Sequence, residues 1–276
     1  MDTLESIFLT ASLVCIALTI LLTILASVHN RKAAAAGEQS QGITSPAAKI
    51  LTYLSLVFVT LTIIFRAVQT GHGPFSNMYE FAIAFSWGII IMGVLFEWRF
   101  KTAAAKNVGL FIALLLLIFA IVQHAKPEPL IPALQQSLLL SVHVAAAVVA
   151  YGAFTIGFGA ATLFLVQHRR QSTWLPDEGT LDSMSYYSVI IGFPFLTLTI
   201  ILGALWADIA WGRYWGWDPK ETASLVTWLL FATYLHARII RGWRGRNAAI
   251  IIIFGFAAIL LTFFGNYIFA GLHAYR

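Results

Sequence analysis

The residues best equipped for chemistry lie together: Trp211-Gly212-Arg213-Tyr214-Trp215-Gly216-Trp217-Asp218-Pro219-Lys220-Glu221-Thr222 places three tryptophans, a tyrosine and four charges between two apolar segments. Indole and phenol rings give flat apolar surface with a polar edge, and cations beside them can meet the acidic groups of a ligand. The run therefore fits a platform for a large flat molecule. An aromatic belt at a membrane interface fits the same residues, although a belt spreads its tryptophans over many helix ends. Here they are interleaved with Arg213, Asp218, Lys220 and Glu221.

Histidine supplies what tryptophan cannot, a ligand for a metal. His29 and His168 fall at segment ends among basic residues and His124 ends another segment, where a solvated or interfacial role suffices. His143 sits about six residues into the fifth apolar segment, roughly 9 Å deep at about 1.5 Å per residue. His273 follows the eighth segment, in Gly271-Leu272-His273-Ala274-Tyr275. Threaded through a membrane, both reach the level of the tryptophan run. Two imidazoles on opposite faces of a stacked ring give the axial ligation that low-spin haem iron accepts. His236, 17 residues beyond Pro219, is roughly 26 Å along its helix and cannot reach the same place. An ionisable residue within a spanning segment is a functional candidate, with snorkelling to the surface as the bland alternative. If His236 holds the same ligand, it marks a second station.

The elements that must position these residues are membrane helices. The chain is 59% hydrophobic and 11% charged, against roughly 25% charged in soluble domains, and its apolar blocks are about 20 residues long. It reads as an all-α polytopic membrane protein with eight transmembrane helices, predicted at 4–28, 50–69, 79–98, 107–125, 137–167, 186–210, 219–240 and 247–270. Residues 1–276 form a single membrane domain, with an external loop at 211–222 and a Gly/Ser/Gln-rich cytoplasmic linker at 29–49. The first segment has no small-residue cleavage site and reads as a retained helix.

Orientation follows from the basic residues. Alternate connections hold Arg31, Lys32, Lys49, Arg99, Lys101, Lys106, Arg169, Arg170, Arg238, Arg241, Arg244 and Arg246 on one side, and Lys126, Arg213, Lys220 and Arg276 on the other. The richer side is predicted to be cytoplasmic, which puts both termini and the tryptophan run outside. The net charge of +5 is then a matter of topology, and a nucleic-acid partner has no support.

Local signals refine the picture. Asp218, Pro219 and Glu221 have the pattern of an acidic N-cap, a proline at the first helical position and a reciprocal third-position glutamate, so a helix is predicted to start there. Asn77 and Glu80 can cap another after the turn Gly71-His72-Gly73-Pro74-Phe75-Ser76. Arg66, one turn below that loop, needs an acidic partner: Glu80 or a ligand carboxylate. The single cysteine, Cys15, excludes a disulfide, a Cys-x-x-Cys redox pair and a Cys-x-x-Cys-His haem attachment site.

Taken together, these residues resemble the CcsA (ResC) family of System II cytochrome c maturation, within the wider group of WWD haem proteins. The likeness runs along Trp211 to Thr222, Arg66, Gly71 to Glu80, Ser141-Val142-His143-Val144, Leu235-His236-Ala237-Arg238, Gly242-Trp243-Arg244-Gly245 and Gly265-Asn266-Tyr267 through Tyr275. It covers helix two to the C-terminus; helix one and the first cytoplasmic loop carry no motif.

The resemblance implies that His143 and His273 are the external axial ligands of haem b, held transiently as substrate at the Trp-rich loop. It implies that His236 serves an inner haem site with a separate CcsB/ResB-type membrane partner. Acceptance by apocytochrome c, thiol-reducing proteins acting indirectly, and membership of a cytochrome c synthetase complex in a bacterial plasma membrane belong to the same expectation. Trp211, Trp215 and Trp217 are expected to support the ring, with Asp218 in the motif and Arg213, Lys220 and Arg66 as partners for the propionates. Two competitors are a CcmC-like protein that passes haem to a carrier, and a membrane transporter or regulator binding another flat aromatic ligand. Eight helices and the Pro-Lys-Glu-Thr ending favour CcsA over the first.

Overall fold

The computed structural model describes residues 2–35, 45–73, 75–123, 125 and 137–268. Among these residues every regular element is helical: α1 (Asp2–Ala35), α2 (Pro46–Thr70), α3 (Met78–Phe100), α4 (Ala104–Gln123), α5 (Ser137–Arg170), α6 (Glu178–Trp211), α7 (Pro219–Ile240) and α8 (Arg246–Ile268). Each contains a stretch long and apolar enough to cross a membrane.

Where the boundaries differ from expectation, capping and propensity explain why. α6 starts at Glu178 rather than 186 because Asp177 caps it, accepting from the Thr180 N–H at 2.8 Å and from its hydroxyl at 2.7 Å. Those bonds, the hydroxyl's first, hold the Asp177 carboxyl below its usual range. The first two turns of α6 are polar, so apolarity alone misses them. The linker at 29–49 is helical at both ends. α1 continues through part of the alanine run, a strong helix former, and α2 opens with Ser45 as N-cap and Pro46 in its first turn. Residues 36–44 lie outside the described residues, as do the last two of the expected eighth helix.

α5 is the centre of the bundle. It packs most extensively on α6 and also on α3, α4 and α8, while α1 pairs with α2 and α7 with α8. Small residues permit this closeness, as membrane helices require when lipid is as apolar as the core. Where α3 meets α5, a Cβ at Gly152 would come within 2.6 Å of the Gly88 carbonyl oxygen, so the two backbones touch. Deeper in the bundle, Phe154 of α5 and Phe231 of α7 stack face to face, centroids 3.7 Å apart and planes 5° from parallel. Both are fully buried.

Polar contacts fix the two ends. At one, Glu5 at the start of α1, Arg66 near the end of α2 and Tyr79 at the start of α3 meet. At the other, Asp182 near the start of α6 takes a two-pronged bond from Arg238 at 2.8 and 2.6 Å and another from the Gly245 N–H. There too Lys106 of α4 pairs with Glu97 of α3 at 2.7 Å. Successive helices therefore run in opposite directions, as a chain threaded back and forth through a membrane must.

Candidate functional site

α3, α5, α6, α7 and α8 converge on a cavity at the end of the bundle that holds Glu5 and Arg66. On α5 its lining runs from Leu140 to Tyr151, about 16 Å along the helix axis. Most of the wall is apolar: Phe75, Met78, Phe81 and Phe85 on one side, and Ile200, Gly203, Ala204, Trp206 and Ala207 of α6 on another. Tyr214 and Trp215 form the rim, and Lys220, Glu221 and Ser224 of α7 add the polar groups.

His143 faces this space from α5. Its Nδ1 lies 2.8 Å from the Thr199 carbonyl oxygen of α6. A carbonyl only accepts, so Nδ1 carries the hydrogen and the lone pair of the neutral ring falls on Nε2. A bond of this kind orients a ligating imidazole and raises its basicity.

Lys220 enters the same cavity, its ammonium 5.1 Å from the centre of the Phe81 ring. Among the described residues the ion pairs do not include it. A cation so placed, on an aromatic face and beside apolar walls, favours an anionic group in the cavity.

The tryptophan run is built by caps. α6 ends at Trp211, and Gly212, at φ 70°, closes it with an N–H bond to the Asp208 carbonyl. Asp218 and Glu221 form the capping box at the start of α7. One Glu221 oxygen accepts from the N–H of Gly216 at 2.8 Å and of Asp218 at 3.1 Å. Both amides flanking Trp217 are thereby held by one carboxylate, and Trp217 adopts φ 55°. That left-handed geometry costs a bulky residue roughly 1–2 kcal/mol. It also divides the indoles: Trp215 lines the cavity, whereas Trp217 stands edge-on to the Trp215 ring and is 69% exposed.

The remaining candidates fall elsewhere. Trp211 is not on the cavity wall; it packs edge-to-face on Trp206, centroids 4.8 Å apart. Asp218 is buried in its cap. Arg213 is exposed, with its guanidinium against Gly216. Arg66 is buried and takes Glu80 at 2.9 Å, with Glu5 at 3.7 Å, so of the two partners expected for it the protein carboxylate is present. His236 is exposed on α7, towards the opposite end. His273 lies outside the described residues.

Several lining residues carried no sequence signal of their own. Trp206, 3% exposed, stands with Thr199, Gly203 and Ala207 on one stripe of α6. Tyr151 comes from the buried side of α5.

Fold and site together define a polytopic helical membrane protein with a deep, aromatic-walled cavity at one end. The chain belongs to the cytochrome c assembly protein family, the family of CcsA, whose family model matches residues 75–273. Among its relatives, the cytochrome c biogenesis protein CcsA of Chlamydomonas reinhardtii is 38% identical over 239 residues, 82% of this chain and 67% of that protein. CcsA of Prochlorococcus marinus (strain AS9601) is 35% identical over 266 residues, 84% of this chain and 85% of that one. A solved structure, cytochrome c heme lyase CcmF, superposes with a TM-score of 0.69 at 19% identity, covering 95% of this chain but 46% of its own. That likeness concerns the fold alone, over under half of the larger chain.

Proposed function

We propose that the cavity holds haem b, as transient substrate, for delivery to apocytochrome c in cytochrome c maturation. The observation that carries this reading is the His143 imidazole, set by the Thr199 carbonyl with its lone pair on Nε2, in an aromatic cavity that also holds the Lys220 ammonium. The names of the relatives agree with it. His143 and His273 ligate the iron. Trp215, Trp206 and Tyr214 give the ring its apolar bed, and Trp211 backs Trp206. Lys220 pairs with a propionate, and Arg213 reaches the other from the rim.

In this reading the end bearing the tryptophan run and both termini face outside a bacterial plasma membrane, as the basic-residue asymmetry favours. The acceptor's two thiols add across the haem vinyl groups, each S–H across one C=C, forming thioethers with no atom lost. The one cysteine here, Cys15, is buried in α1, so those thiols belong to the acceptor and are kept reduced by separate proteins. In the same reading His236, exposed on α7, serves an inner haem station with a CcsB-type partner.

Purified with its partner from haem-replete cells, the protein is expected to show a bis-histidine low-spin spectrum that collapses in a His143→Ala, His273→Ala double variant. A colourless preparation would sink the reading. His236→Ala is expected to lower total bound haem while leaving the spectrum of the remainder unchanged. Unaltered haem content and cytochrome yield would return His236 to an interfacial role.

A further inference from the structure

We infer that Gly203 of α6 positions His143, fixing the orientation and tautomer of the imidazole through the Thr199 carbonyl one turn away. The inference rests on the haem reading for its consequence, but not for its geometry. His143 lies across the bare α-carbon of Gly203: a Cβ there would stand 2.9 Å from Cε1 and 3.2 Å from Nδ1. Contacts that close to a rigid ring are relieved only by rotating the ring or by moving α5 away from α6. Either movement disturbs the 2.8 Å bond from Nδ1 to the Thr199 oxygen.

Glycine is a poor helix former, less favourable than alanine within a helix. Gly203 nevertheless sits inside α6 with the cavity on one side. Its neighbours on that wall, Ala204 and Ala207, carry a Cβ. At Gly203 a Cβ would take the place of the ring. Iron ligation then depends on a residue that never touches iron, since the hydrogen bond held by the Gly203 seat decides which nitrogen presents its lone pair.

The test is Gly203→Ala with His143 unchanged, beside Leu205→Ala, whose parent side chain is 43% exposed and lines no part of the cavity. In the haem-loaded protein, Gly203→Ala is expected to weaken haem retention about tenfold and to convert a large share of the low-spin spectrum to high-spin. Added imidazole should restore the low-spin form, and Leu205→Ala should match the wild type. In haem-free protein, nitrogen-15 NMR of labelled histidine is expected to show His143 protonated on Nδ1 in the wild type, with Nε2–H gained in Gly203→Ala. If the wild type binds no haem but the tautomer changes as stated, the haem reading fails and the positioning role stands. A wild-type spectrum and an Nδ1–H tautomer in Gly203→Ala would overturn the inference. So would an Nε2–H tautomer in the wild type, a measurement that holds even where the variant does not fold.

Discussion

Glu80→Ala is expected to lower the free energy of unfolding by about 3–5 kcal/mol, the usual consequence of removing one partner from a buried ion pair. Glu80 is 1% exposed and Arg66 3%. One Glu80 oxygen accepts from Arg66 Nε at 2.9 Å, and the other from the Ser76 N–H at 2.9 Å and the Ser76 hydroxyl at 2.7 Å. Without it, Arg66 keeps Glu5 at 3.7 Å, a carboxylate already accepting from the Tyr79 hydroxyl at 2.6 Å. The loss reaches the cavity because Ser76 lies between Phe75 and Met78, both on its wall. Denaturant unfolding in lipid nanodiscs measures the change, and Glu80→Gln, which keeps the shape and one acceptor oxygen, should lose less. Equal midpoints for the wild type and Glu80→Ala would show that the cluster contributes nothing to the fold.

Lys220→Met is expected to weaken haem binding by roughly ten- to a hundredfold, the span that corresponds to about 1.5–3 kcal/mol for a hydrogen bond to a charged group. Methionine keeps most of the length and the contact with Phe81, so the missing quantity is the charge. A direct check follows. Haem dimethyl ester has no propionate charge, and its affinity should be nearly the same for the wild type and Lys220→Met. If both ligands lose affinity equally, Lys220 shapes the wall and does not meet a carboxylate.

How much of this was legible in the sequence varied with how local the cause was. The start of α7 was readable because Asp218, Pro219 and Glu221 act within one turn, and the capping box is there. The polar start of α6 is hidden because its first turns form no apolar block, although Asp177 and Thr180 carry a cap signal. The need of Arg66 for a carboxylate was visible from burial chemistry, and Glu80 was one of its two expected partners. Glu5 was not foreseen, because it is brought in by the tertiary packing of α1.

The cavity wall on α6 was illegible for another reason. In a soluble helix the buried stripe stands out against a polar face, but the outer face of α6 carries Phe195, Leu198, Ile201 and Leu205, as apolar as the inner one. Trp206, Thr199 and Gly203 are therefore camouflaged. The division between Trp215 and Trp217 is likewise invisible in the sequence, since it follows from a positive φ that a pair of hydrogen bonds imposes.

The stacked Phe154 and Phe231 rings, buried beneath the cavity, have a consequence for traffic. Phe154 lies one turn of α5 beyond Tyr151, the last α5 residue on the cavity wall, and neither ring is on that wall, so packed rings rather than open space meet the cavity's inner side there. His236, exposed on α7 towards the other end, is not among the residues that line this cavity. On the haem reading, cargo handed from one station to the other would have to pass these packed rings or travel around the bundle, along a seam shared with lipid or with a neighbouring protein.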